Sequence, residues 1–129
     1  MLREARQREL ENSSQPHSVR VGLACILFFM FYLYILYSES SDKYYVGYTR
    51  DYRRRFHEHN HSDRITFTSK HRPWILKAVF ACGEIEGDAI RLERFIKKQK
   101  SRKLIERIIG GEVLTGILAQ LVSVPYVRD

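Results

Sequence analysis

The sequence predicts a small α/β domain of the α+β type, in which a strand hairpin and one later strand are interleaved with helices. Three observations predict it. Phe31–Tyr37 and Tyr44–Thr49 are short runs rich in tyrosine and branched residues, and the polar cluster Ser38–Lys43 separates them. Runs of that kind, bounded by polar residues, read as the two strands of a hairpin. Trp74–Cys82, set off by Pro73 and Gly83, reads as a third strand. The segments that follow the hairpin and the third strand carry apolar residues at helical spacing.

Length and composition bound the answer. A chain of 129 residues suffices for one domain with one modest core. Apolar residues make up 44% and charged residues 29%, which excludes a disordered chain. There are 22 Lys and Arg against 15 Asp and Glu, a net charge of +7, and the pI is near 9.6. That balance favours a polyanionic partner, nucleic acid first and an anionic membrane second. The same charge also serves ordinary solubility. Cys25 and Cys82 show no CxxC spacing. They fit buried thiols of a reducing compartment better than a disulfide framework. The expected location is therefore cytoplasmic, with association to the nucleoid if the partner is DNA.

In chain order, residues 1–29 read as an N-terminal extension. Leu2–Glu11 could form a short polar helix, and Ser13–Ser18 reads as a linker. Val21–Tyr37 is an uninterrupted apolar run, and a spanning helix needs about 17–25 such residues. Two readings compete for it. One anchors the chain in a membrane through Val21–Tyr37. The other spends Phe31–Tyr37 on a strand and leaves Val21–Met30, about half a span. The strand reading is preferred because Tyr44–Thr49 needs a partner, so no stable membrane insertion is expected. A signal peptide fits poorly, since a polar stretch precedes the run and no small-residue cleavage pattern follows it. A domain over 30–110 would be complete, leaving 111–129 as a tail.

Asp51 is a good N-cap for a helix beginning at Tyr52. Tyr52, Arg55, Phe56 and His59 fall on one face of that helix, while Arg53 and Arg54 point outward and suit phosphate contacts. Arg50 and the run Lys97, Lys98, Lys100 extend the basic surface. Ser62–Arg72 reads as a polar loop. Ile85–Lys100 reads as a helix with Ala89, Leu92 and Ile96 on its apolar stripe and Glu93 beside it. Ser101 caps a further helix carrying Leu104, Ile105, Ile108 and Ile109, which Gly110 and Gly111 end. Glu112–Asp129 has no sustained period and is assigned no role.

These residues carry a resemblance. Tyr32-Leu33-Tyr34 stands where the GIY-YIG nuclease family has Gly-Ile-Tyr, and Tyr45-Val46-Gly47 stands for Tyr-Ile-Gly. Arg55 falls at the family's arginine, His59 at a Tyr-or-His position, and Glu93, in Leu92-Glu-Arg-Phe-Ile-Lys97, at its metal-binding glutamate. The stretch from Phe31 to Ile109 thus resembles a small stand-alone GIY-YIG domain, similar to the N-terminal domain of the bacterial excision-repair nuclease. The departure is Tyr32 in place of the motif's glycine. The resemblance implies a three-stranded antiparallel sheet with helices around it. It also implies a metal-dependent DNA endonuclease that uses one Mg²⁺ or Mn²⁺ ion at Glu93.

The chemistry suits these residue types. Cleaving a phosphodiester needs an activated water, stabilisation of added negative charge, and help for the leaving oxygen. One carboxylate, Glu93, can hold Mg²⁺ that keeps most of its waters. Arg55 can contact the phosphate as charge builds. Tyr34 or Tyr45 would relay the water's proton, and His59 would orient the phosphate or the base. Each residue alone has an ordinary reading: Tyr34 and Tyr45 as strand aromatics, Arg55 as a solvated helix charge, Glu93 as the i, i+4 partner of Lys97. The alternative function is a non-catalytic nucleic-acid-binding module of the same fold. No recognition helix or zinc finger is legible, which leaves the DNA substrate open.

His57-Glu-His-Asn-His61 also matches H-E-x-x-H, the zinc metalloprotease signature. That motif needs a continuing helix and a third ligand downstream. Asn60, Ser62 and Asp63 are expected to end the helix near His61, so His57 and His61 read as incidental surface histidines.

Overall fold

Strands β1 (Phe31–Ser38) and β2 (Lys43–Thr49) form the expected hairpin in the computed structural model, which describes residues 29–125. The expectations for Leu2–Glu11, Ser13–Ser18, Cys25 and most of Val21–Met30 lie outside the described residues. The two strands pair antiparallel from Tyr32 opposite Thr49 to Ser38 opposite Lys43. On its other side β1 pairs antiparallel with β3 (Trp74–Gly83), with a register shift between Ile35 and Leu36.

β1 is therefore central and covered on both faces, which explains its composition. A strand buried on both faces reads as a continuous apolar run instead of an alternation. Phe31, Leu33 and Ile35 join a core with Ala89, Leu92 and Ile96 of α2 (Glu86–Gln99) and Ile108 of α3 (Arg102–Ile109). Tyr34 and Leu36 join Trp74, Leu76 and Val79 on the opposite face, where Tyr52 and Phe56 of α1 (Tyr52–His61) cover them. Phe31–Tyr37 is thus committed to the sheet. Among the described residues no helix is long and apolar enough to cross a membrane.

The helices start where the sequence places them. Asp51 Oδ1 accepts a hydrogen bond from the Arg54 backbone N–H at 3.1 Å, and Ser101 Oγ accepts one from Leu104 at 3.1 Å. Both satisfy donors that a helix N-terminus leaves without intrahelical partners.

The sheet has four strands, not three, in the order β2-β1-β3-β4. Val122–Ser123 forms β4, pairing antiparallel with Phe80 and Ala81 of β3. The preceding 3-10 turn, Gly116–Gln120, delivers Leu118, and Leu121 follows; both are buried in the α2/α3 core. A strand of two residues with both side chains exposed leaves no period to read.

Candidate active site

The cluster begins with a cross-strand pair. Tyr34 on β1 lies opposite Gly47 on β2, and its ring crosses directly over that glycine. A Cβ built on Gly47 would meet Tyr34 Oη at 2.5 Å and Cζ at 2.7 Å. Space for the ring, and not backbone conformation, is what demands glycine after Tyr45-Val46. The ring is buried, and its hydroxyl reaches His59 Nε2 at 2.8 Å.

His59 is itself buried near the end of α1, and its Nδ1 hydrogen bonds to Thr68 Oγ1 at 2.9 Å. Burial, reinforced by the Arg55 and Arg72 charges and opposed by Glu58, pulls the His59 pKa down to about 4. The imidazole is therefore neutral at pH 7, with both nitrogens engaged. Burial also pushes the Tyr34 pKa well above the usual tyrosine range; Tyr45 and Glu93 add to this, while Arg55 opposes it.

Tyr45 on β2 packs beside this pair, its ring centroid 4.8 Å from that of His59 and 6.2 Å from that of Tyr34. Lys97 Nζ stands over the Tyr45 ring, 5.4 Å from the centroid, and 3.3 Å from Glu93 Oε1 one turn earlier on α2. The Glu93 side chain is mostly buried. Arg55 holds Glu58 through Nη1 at 2.8 Å. Its Nε is buried and has no hydrogen-bond partner among the described residues. Burial works against the Arg55 charge, but Glu58 and Tyr34 hold its pKa above the ordinary value. Tyr45, Arg55 and His59 line one open groove of about 670 Å³.

The GIY-YIG catalytic domain profile matches residues 30–106. This chain belongs to the GIY-YIG family. No curated protein matches it significantly. The family consists of endonucleases, so membership implies nuclease-type activity.

On this GIY-YIG domain the other predicted residues are distributed unevenly. Arg54 lines the groove and pairs with Glu58 at 3.7 Å. Lys97 stands at the cluster through Glu93 and Tyr45. Arg53 lies over the Tyr52 ring and Arg50 over the Phe29 ring. Lys98 and Lys100 are exposed at the end of α2. They belong to a surrounding basic surface and not to the cluster.

The H-E-x-x-H match does not assemble a zinc site. The His57 and His61 rings do stand together, 4.3 Å between centroids. However, Glu58 is turned to Arg54 and Arg55, and α1 ends at His61. No group of three His, Cys, Asp or Glu side chains is placed to hold a metal ion among the described residues.

Several supporting residues were not legible. Thr68 holds the far side of His59. Arg72 donates from Nε to the His59 carbonyl at 2.6 Å and from Nη2 to the Ser62 carbonyl at 2.7 Å, satisfying orphan carbonyls at the end of α1. The Asn60 side chain bonds both the N–H and the carbonyl of Trp74, at 2.7 and 3.0 Å, tying α1 to the start of β3. The signal for Thr68 and Arg72 was a polar loop, and for Asn60 only a residue near a helix end; nothing local says which hydroxyl or amide meets which partner.

Proposed function

We propose that this GIY-YIG domain is a metal-dependent endonuclease that hydrolyses phosphodiester bonds in DNA, in the repair or processing of structured DNA. The observation that carries the proposal is that Tyr45, Arg55 and His59 line one groove, with Tyr34 buried behind it on His59 and with Lys97 contacting both Glu93 and the Tyr45 ring. Tyrosine, arginine and carboxylate in one cluster match the demands of phosphodiester hydrolysis.

The donor set fits a hard cation. Mg²⁺ commonly keeps several waters and takes one or two carboxylates together with substrate phosphate, so a lone Glu93 suffices where a caged ion would need more ligands. Bound there, Mg²⁺ or Mn²⁺ would supply Lewis-acid polarisation of the phosphate and the leaving oxygen.

The protein's own groups do the rest. Arg55 faces the groove with a charge held on by Glu58 and Tyr34. An oxyanion on this guanidinium would gain charge-assisted hydrogen bonds as negative charge develops. Tyr34 is buried, resists ionisation and is held by His59. Tyr45 lines the groove, and it is the tyrosine we assign to take the proton from the attacking water. Neutral His59 fixes the Tyr34 hydroxyl, and the two rings back Tyr45.

Glu93→Gln tests the proposal. The amide preserves shape but loses the charge that holds the cation. Cleavage over a panel of duplex, flapped, branched and single-stranded DNAs, with Mg²⁺ or Mn²⁺, should fall at least about 10²-fold, roughly 3 kcal/mol of transition-state stabilisation. Metal-free DNA binding should persist. Cleavage unchanged by Glu93→Gln would remove Glu93 from the metal site. A wild-type protein that binds DNA and cleaves none of the panel would show a nucleic-acid-binding module instead.

A further inference from the structure

The loop between α1 and β3 carries two large apolar side chains in water: Ile65 is 89% exposed and Phe67 is 53% exposed. The loop holds Phe67 on a firm base. The Thr66 N–H donates to Ser69 Oγ at 2.9 Å, and Ser69 Oγ donates back to the Thr66 carbonyl at 2.8 Å. The Trp74 indole N–H donates to the Thr68 carbonyl at 2.7 Å. Thr68, the residue after Phe67, touches the catalytic cluster directly through His59.

Phe67 lines the same groove as Tyr45 and Arg55. Its surroundings are basic: Arg54, Arg64 and His61 line that groove, against Glu58 as its acidic member. Lys43 Nζ lies 5.8 Å from the Phe67 ring centroid, and the His71 ring lies 4.7 Å away. Asp63 is the acid on the loop itself. An aromatic ring presented from a firm loop, within a groove that attracts phosphates, is the arrangement that binds single-stranded nucleic acid by stacking.

We propose that Phe67 is a stacking platform for one unstacked nucleobase, on the strand whose phosphate lies at Arg55 and Tyr45, with Lys43 and Arg64 beside the flanking phosphates. This rests on the nuclease reading and names its substrate class: DNA with an unpaired or extrahelical nucleotide next to the scissile phosphate. An ideal duplex keeps every base stacked and has to open one first, whereas a bulge or mismatch offers it at lower cost.

The test uses the full chain in EDTA with duplexes carrying one 2-aminopurine, either paired or as a single-nucleotide bulge. The wild type should bind the bulged duplex roughly tenfold more tightly than the paired one, the size expected for one stacked base. Bulge fluorescence should be quenched on binding. Phe67→Leu, apolar but without a ring, should lose both the preference and the quench, while Phe67→Trp retains both. A preference and quench that survive in Phe67→Leu would overturn the assignment, as would a wild type that treats both duplexes alike. Binding is read without metal, so the two readings fail separately. A wild type that shows the quench but cleaves nothing with Mg²⁺ keeps the stacking site and loses the nuclease. One that cleaves but shows no quench does the reverse.

Discussion

Replacing Gly47 by alanine tests the geometry at the centre of the cluster. The added methyl would sit 2.5 Å from Tyr34 Oη and 2.7 Å from Cζ. Carbon atoms pack at about 3.5–4.0 Å, so the ring must retreat by about 1 Å. It has little room, because Tyr34 is 1% exposed and is backed by Tyr45 and His59. Overpacking of this kind costs about 1–3 kcal/mol. Retreat also breaks the 2.8 Å bond to His59, and two buried polar groups left unmatched cost about 1–3 kcal/mol more. Gly47→Ala should therefore lose about 2–6 kcal/mol in urea unfolding, a large part of the roughly 5–15 kcal/mol that keeps a domain folded. Cleavage should fall with it even where the protein remains folded. Tyr34→Phe removes the nearest atom of the clash, so the double variant should be less destabilised than the sum of the singles, by at least about 1 kcal/mol. Gly47→Ala within about 0.5 kcal/mol of the wild type, or strictly additive singles, would refute this account of the glycine.

Two further outcomes follow from the charges. His59 has its pKa lowered from 6.5 to about 4 in the folded protein, so between those values only the unfolded chain takes up the proton. Stability should fall as pH drops through that window, by about 3 kcal/mol in all; urea midpoints against pH would show it, and His59→Gln should flatten that part of the curve. Lys97 holds Glu93 at 3.3 Å and so competes with a cation for the carboxylate. Lys97→Met should lower the Mg²⁺ concentration needed for half-maximal cleavage, while the slope of log affinity against log salt shrinks by about one. An unchanged metal requirement would argue against Glu93 as the ligand.

The sequence by itself determined the hairpin, the third strand and the three helices, and it named Tyr34, Tyr45, Arg55, His59 and Glu93 as the candidates. Tyrosine-rich runs, a capping Asp51 and a capping Ser101 are local signals, and the strands and helices appear where they point. Arg55 and His59 stand one helical turn apart, and Tyr34 and Tyr45 stand on neighbouring strands, so local periodicity already puts these side chains within reach of one another. The same locality made the central strand resemble half of a membrane span, because burial on both faces erases alternation. Tertiary structure alone decided that Tyr34 lies across Gly47, that Thr68 holds His59, that Asn60 clamps Trp74, and that Lys97 comes over the Tyr45 ring. It also decided that the segment after Gly111 returns to add β4 and to bury Leu118 and Leu121. These are contacts between residues far apart in the chain or in loops without a period. They depend on strand register and on which face each helix covers, and a short window of sequence carries neither.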